Sequence, residues 1–264
     1  MSFFTAERIS AGYGRQRIVH EASLALDSGR IMGILGPNGC GKTTLLKAIC
    51  GILPHEGTCT LDGETLESIS ARRTAQLCSY IPQRSGISID ISALDVVLMG
   101  FNPRLRLLEH PNTAMEEAAS RALAQAGLAG KEHVNYLHLS EGQKQLCILA
   151  RTLVSDGRLL LLDEPESALD FRFRYQMLNT IRQWILEKQR AAIVALHDPS
   201  LALNYCDELL LMADGKVLGT LQPEIDSIGS MEDMLSRIYG SISLRRCQTR
   251  TGREQLVMLK EEET

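Results

Sequence analysis

Ile31-Met32-Gly33-Ile34-Leu35-Gly36-Pro37-Asn38-Gly39-Cys40-Gly41-Lys42-Thr43-Thr44-Leu45-Leu46 decides the fold class of this chain. Ile31 to Leu35 is a near-continuous apolar run, the pattern of a parallel strand buried on both faces. Leu45, Leu46, Ile49 and Ile52 then recur at helical spacing, so a helix is expected to begin near Gly41. Between strand and helix, the residues from Gly36 satisfy G-x-x-x-x-G-K-[ST], in the structural context that motif requires. Gly36, Gly39 and Gly41 let backbone N–H groups turn inward around a polyphosphate, and the helix N-terminus adds partial positive charge. Pro37, Asn38, Cys40 and Thr44 complete the loop. Lys42 is placed to bridge the β- and γ-phosphates and the Thr43 hydroxyl to ligate Mg²⁺. A glycine-rich turn that merely starts a helix is the competing reading, which the flanking elements disfavour.

Outward from this loop, Leu159-Leu160-Leu161-Leu162-Asp163-Glu164-Pro165 reads as a buried strand delivering two carboxylates at its C-terminal edge, where ligands collect in open α/β sheets. Asp163 is expected to hold Mg²⁺ through its waters and Glu164 to orient and activate the attacking water, because phosphoryl transfer leaves a protein mainly positioning and charge stabilisation. Without the phosphate loop, a bland strand-end pair would be the better reading. His197 ends the apolar run Ile193 to Leu196, which puts it at the same sheet edge; alone, a histidine there is more often structural. Gln83 follows Ser79-Tyr80-Ile81-Pro82 and can reach Mg²⁺ or the water from another strand end.

The N-terminal stretch reads as short strands with turns: Arg8-Ile9-Ser10, a turn over Ala11 to Gly14, then Ser23 to Leu26. With Gly57 to Leu61 and the Asp62-Gly63 turn, this suggests an antiparallel layer. Residues 92–155 change texture to helix, with Ser92 and Asp95 as a capping box, a polar loop over Pro103 to Thr113 and an alanine-rich helix over Ala114 to Ala126. Buried strands then resume, separated by an amphipathic helix carrying Leu178, Ile181 and Ile185 on one face. The expectation is an α/β domain over residues 1–225, with core segments 1–85 and 156–225, a helical subdomain inserted at about 86–155 and a C-terminal extension over 226–264. Met231 to Tyr239 reads as a helix and the charged end from Lys260 as frayed.

At 264 residues the chain can bury a sizeable core, and its net charge of −4 gives no global attraction to nucleic acid. Its apolar runs fall far short of a bilayer span, and its first residues lack a basic region followed by an apolar stretch, so it is expected in the cytosol. Seven scattered cysteines with no C-x-x-C pair argue against a disulfide frame or a zinc site. Most read as small buried residues, with oxidation sensitivity a lesser reading for Cys40 in the loop.

Order and spacing bring in a family. Over Met1 to about Gly219 the chain resembles the nucleotide-binding subunits of ATP-binding cassette (ABC) transporters, and Leu139-Ser140-Glu141-Gly142-Gln143 looks like the L-S-G-G-Q signature. Ser140 and Gln143 form a capping box ahead of a helix, an anion site with no phosphate of its own. The resemblance implies a P-loop NTPase, RecA-like core fuelled by ATP and Mg²⁺. It further implies a head-to-tail dimer in which Ser140, Gly142 and Gln143 contact the nucleotide held by the opposite copy. It makes Tyr13 the adenine-stacking residue, though a turn aromatic reads equally well; Gln83 the Q-loop; Ser167-Ala168-Leu169-Asp170 the D-loop; and His197 the switch histidine. Glu141 departs from the family's glycine, and its side chain is expected to point away from the nucleotide.

Ser92 to Gly100, His197-Asp198-Pro199-Ser200-Leu201-Ala202 and Met234 to Gly240 look like importers of iron-siderophores, haem and cobalamin. That narrower resemblance implies a membrane permease pair, an extracellular substrate-binding protein, and a position peripheral to the cytoplasmic face. The surface from about Arg84 to Leu108 would receive the permease's coupling helix. A soluble cassette ATPase, such as one serving iron–sulfur cluster assembly, is the main alternative. A P-loop kinase fails on the signature segment and on Glu164, and a DNA-repair cassette would need a sustained heptad region, which is absent.

Overall fold

The computed structural model describes residues 2–83, 86–106, 108–167 and 169–262. Its centre is a six-stranded sheet in the order β10-β9-β3-β8-β7-β6, formed by β3 (Ile31–Leu35), β6 (Cys78–Ile81), β7 (Leu159–Asp163), β8 (Ala191–Ala195), β9 (Glu208–Ala213) and β10 (Lys216–Leu221). All neighbours run parallel except the β9/β10 hairpin. Strands β3, β7 and β8 are buried along their whole length, which is why their sequences lack polar alternation.

Strand pleating divides the sheet's side chains between two cores. Ile31, Leu35, Leu160, Leu162 and Val194 face one, together with Leu146 and Leu149 of α5 (Glu141–Ser155) and Leu178, Ile181 and Ile185 of α6 (Phe171–Lys188). Met32, Ile34, Leu161 and Ile193 face the other, against Leu45, Leu46 and Ile49 of α1 (Lys42–Ile49) and the antiparallel layer. Each such fully buried leucine or isoleucine contributes about 1.5 to 3 kcal/mol. The antiparallel layer has the order β2-β1-β4-β5, from β1 (Phe4–Tyr13), β2 (Gln16–Leu26), β4 (His55–Leu61) and β5 (Glu64–Thr65). The short helix α2 (Ala71–Leu77) leads into β6. Helices α3 (Ala93–Leu98) and α4 (Thr113–Gln125) pack with α5 between β6 and β7 in chain order. Ser92 and Asp95 form the capping box expected for α3. After β8 come α7 (Pro199–Tyr205), α8 (Ile228–Tyr239) and a separate hairpin of β11 (Ile242–Gln248) and β12 (Glu254–Lys260). The fold class is thus the one expected, an α/β core with an antiparallel layer and a helical region.

Three local expectations are corrected. The first strands are long, and the turn lies at Gly14-Arg15 rather than over Ala11 to Gly14. Gly12 is inside β1, where a Cβ would stand 1.9 Å from the Gln16 carbonyl oxygen, so glycine is there for close approach between strands. Ile52 does not join the α1 face: the helix ends at Ile49, and Ile52 is 58% exposed. Lys260 and Glu261 are not frayed, because β12 reaches Lys260 and the Glu261 N–H donates to the Ser241 carbonyl at 3.1 Å. The β11/β12 hairpin itself was not foreseen.

Candidate functional site

Because β3, β6, β7 and β8 run parallel, the segments that follow them converge at one sheet edge. β3 delivers the loop Gly36 to Gly41, β6 delivers Gln83, β7 ends in Asp163 with Glu164 next, and His197 follows β8. Gly41 is the N-cap of α1 with φ +107°, a left-handed conformation that side chains rarely adopt. Gly39 has φ +79°, a second left-handed position in the same loop. Lys42 is buried, with Nζ donating to the carbonyls of Gly36 at 2.8 Å and Pro37 at 3.3 Å. The loop therefore offers N–H groups, a helix start and one cation, the donor set for a polyphosphate. Cys40 is 5% exposed, and burial raises its thiol pKa against the pull of Lys42. A protonated, enclosed thiol is a poor redox sensor, so the packing reading of Cys40 stands.

Asp163 is buried, and burial raises its pKa against the opposing hydrogen bonds of Thr43 and Tyr80. Thr43 Oγ1 donates to its Oδ1 at 2.9 Å and Tyr80 Oη to its Oδ2 at 3.0 Å. Thr43 and Asp163 together present an all-oxygen set suited to a hard cation such as Mg²⁺. Glu164 has φ +50°, outside the ordinary range for a non-glycine residue, which kinks the chain directly after β7. Its N–H extends the ladder to the Ala195 carbonyl at 3.1 Å. Its Oε2 accepts from Gln83 Nε2 at 2.6 Å and lies 2.5 Å from His197 Nε2. The fold thus brings Thr43 and Asp163 into one contact, and Gln83, Glu164 and His197 into another one residue along.

The other candidates lie apart from these contacts. Tyr13, 48% exposed, lines an open cleft of about 540 Å³ with Gly12, Arg17 and His55, whose walls include no phosphate-loop residue. Ser140 caps α5, its Oγ accepting from the Gln143 N–H at 3.3 Å while Gln143 Oε1 accepts from the Ser140 N–H at 3.2 Å. Neither Ser140, Gly142 nor Gln143 bonds the phosphate loop. Glu141 is turned outward, its carboxylate 2.7 Å from Lys144 Nζ and its side chain 75% exposed. Asp170 caps α6 by accepting from the Phe173 N–H at 3.0 Å. Ala168 of the expected D-loop, and Arg84, Ser85 and Leu107 of the expected docking surface, lie outside the described residues.

Two residues of this site escaped sequence reasoning. Tyr80, which holds Asp163, carried a weak signal in lying three residues before Gln83 on the same strand end. Glu166 carried none: it is 2% exposed, accepts the His197 main-chain N–H at 2.9 Å, and burial raises its pKa. Elsewhere, His55, Cys59 and Glu67 bring ligand atoms within 4.8 Å of one another. Glu67 Oε1 already pairs with His55 Nε2 and the Cys59 N–H, both at 2.9 Å, and burial raises the Cys59 pKa, so the group is a satisfied polar cluster.

Comparison with known proteins places this geometry. The family model described as ABC transporter matches residues 19–167, more than half of the chain. The hemin import ATP-binding protein HmuV of Bordetella avium is 36% identical over 244 residues, which cover 89% of this chain and 91% of that protein. The cobalamin import ATP-binding protein BtuD of Halobacterium salinarum is 34% identical over 203 residues, 76% of this chain and half the length of that relative. Among solved structures, a nucleotide-free ATP-binding cassette from an ABC transporter superposes with a TM-score of 0.78 at 21% identity, covering 90% of this chain and 97% of that one. A dimeric cassette bound to ADP and phosphate does so with 0.75 at 20%, covering 83% and 98%. Phosphate loop, strand-end carboxylates and capped α5 helix therefore occur here in a chain that belongs to the ABC transporter ATP-binding family.

Proposed function

We propose that this chain is the ATP-hydrolysing subunit of an importer, working as a head-to-tail dimer on the cytoplasmic face of a membrane permease. An extracellular binding protein would supply the cargo, of the iron-siderophore, haem or cobalamin type. The names of the relatives support the importer reading and the haem and cobalamin members of that cargo class. The observation that carries the catalytic reading is the Glu164 carboxylate held at once by Gln83 and His197.

In this reading Gly36 to Thr44 wrap the triphosphate, with Lys42 against its terminal phosphates and Tyr13 against the base. Thr43, the waters of Asp163 and the amide oxygen of Gln83 would hold Mg²⁺, which when bound neutralises charge on the β- and γ-phosphates. Tyr80 fixes the Asp163 carboxylate. Glu164 accepts a proton from the attacking water and His197 keeps that carboxylate aimed. Ser140, Gly142 and Gln143 close the opposite copy's site with the N–H groups at the start of α5.

Expression of a tagged copy in the cells that make this protein, followed by purification through the tag, tests the partner assignment. A polytopic permease is expected to copurify from washed membranes; recovery wholly in the soluble fraction, with no such partner, would overturn it. A second test concerns Glu141. Since its carboxylate is exposed and paired with Lys144, Glu141→Gly is expected to change the ATPase rate by less than about tenfold, the scale of one surface charge contact. A larger rise would mean that the carboxylate opposes the nucleotide in the closed dimer.

A further inference from the structure

Among the described residues, two buried side-chain atoms have no hydrogen-bond partner, and one of them is Oε2 of Glu166. A carboxyl enclosed to 2% exposure with one oxygen orphaned is expensive to bury, and an apolar side chain could fill the same space without that cost. Its other oxygen has a specific partner, the main-chain N–H of His197 at 2.9 Å. That N–H needs an acceptor from outside the sheet. Strand β8 ends at Ala195, the Leu196 N–H makes the last bond to β3 through the Ile34 carbonyl at 3.1 Å, and the chain then turns so that Asp198 caps α7.

Glu164 and Glu166 lie on one tight turn, closed by the Ser167 N–H on the Glu164 carbonyl and the Leu169 N–H on the Glu166 carbonyl. The two carboxyl groups hold the same residue from two sides: Glu164 meets the His197 ring at 2.5 Å and Glu166 its backbone at 2.9 Å. The His197 side chain is 40% exposed, so surrounding packing alone leaves the ring room to swing. We propose that Glu166 is a positioning residue for hydrolysis, fixing the His197 main chain so that its imidazole stays in hydrogen-bond contact with Glu164. The inference rests on the reading of Glu164 and His197 as the hydrolytic pair.

The test compares Glu166→Met, which keeps length and burial but offers no acceptor, with Glu166→Gln, which keeps an acceptor oxygen. Steady-state ATPase assays on the purified protein are expected to show kcat lowered about tenfold or more in Glu166→Met, with KM for ATP within about twofold, because misplacing an aligned group costs rate more than ground-state binding. Glu166→Gln is expected within about twofold of the unmodified protein in both constants. In a His197→Ala background, Glu166→Met should slow the enzyme no further, since both act through one contact. A wild-type kcat in Glu166→Met, an equal loss in Glu166→Gln, or independent losses in the double variant would each overturn the inference. If Glu166→Met does not fold, Glu166→Ala takes its place in the same comparison. A slow His197→Ala beside a fast Glu166→Met sinks the positioning role alone, whereas a fast His197→Ala sinks the hydrolytic reading and the inference with it.

Discussion

Glu164→Gln is expected to bind ATP as the unmodified chain does, to accumulate as an ATP-bound dimer, and to turn over about 10² to 10⁴ times more slowly, the usual contribution of a positioned general base. The geometry makes this a clean substitution. In the native site Oε2 of Glu164 accepts from Gln83 Nε2 at 2.6 Å and faces His197 Nε2 at 2.5 Å. A glutamine can place its amide oxygen where that Oε2 stands, retaining both contacts and the kinked turn at φ +50°. What it loses is the negative charge and the affinity for a proton. Nucleotide affinity should be spared, since the residues proposed to hold the phosphates lie in the loop after β3 and on α1, apart from this carboxylate. With hydrolysis blocked and closure intact, the ATP-bound dimer has no exit and should dominate in size-exclusion runs with ATP. Turnover at the native rate in this variant would remove Glu164 as the base and leave the site, among the described residues, without another carboxylate in contact with both Gln83 and His197.

What could be read in advance follows the range of the interaction concerned. Strands β3, β7 and β8 announce themselves because burial on both faces forces uninterrupted apolar sequence, and the capping boxes at Ser92 and Ser140 because both partners lie three residues apart. Parallel topology then carries Gln83, Glu164 and His197 to one edge with no further information. Contacts decided by tertiary approach left little trace. Gly12 looked like a turn residue because a glycine required by a neighbouring strand's carbonyl is indistinguishable, in sequence, from one required by a positive φ. The β11/β12 hairpin was hidden because only Ile242, Leu244 and Leu256 of its two strands are buried, so the alternation that Ile242 and Leu244 begin is broken by Arg246 and Gln248. Part of its anchoring is also nonlocal: Asn204 of α7 both accepts from the Leu256 N–H at 2.9 Å and donates to the Leu256 carbonyl at 2.7 Å. Glu166 was invisible for the same reason, since its partner N–H lies 31 residues away along the chain.

Lys42→Ala should abolish tight nucleotide binding rather than slow a later step. At an effective dielectric of 20, an ammonium about 4 Å from a single negative charge gains on the order of 4 kcal/mol of gross attraction. After exchange with water, a hydrogen bond to a charged group keeps about 1.5 to 3 kcal/mol, or roughly 10- to 100-fold in affinity. The native loop shows why no neighbour can substitute. Lys42 is buried, its Nζ is tied to the carbonyls of Gly36 and Pro37 at the start of the loop, and the segment from Gly36 to Thr44 holds no second cation. Titration with a fluorescent nucleotide, free of any requirement for turnover, should show the loss directly. Lys42→Met separates charge from packing, because it retains the unbranched stem that Lys42 buries at the start of α1; it is expected to bind as poorly as Lys42→Ala. Near-native affinity in Lys42→Met would mean that the backbone cradle alone holds the nucleotide and that the ammonium only braces the loop. Near-native affinity in both variants would remove Lys42 from the phosphate-binding role.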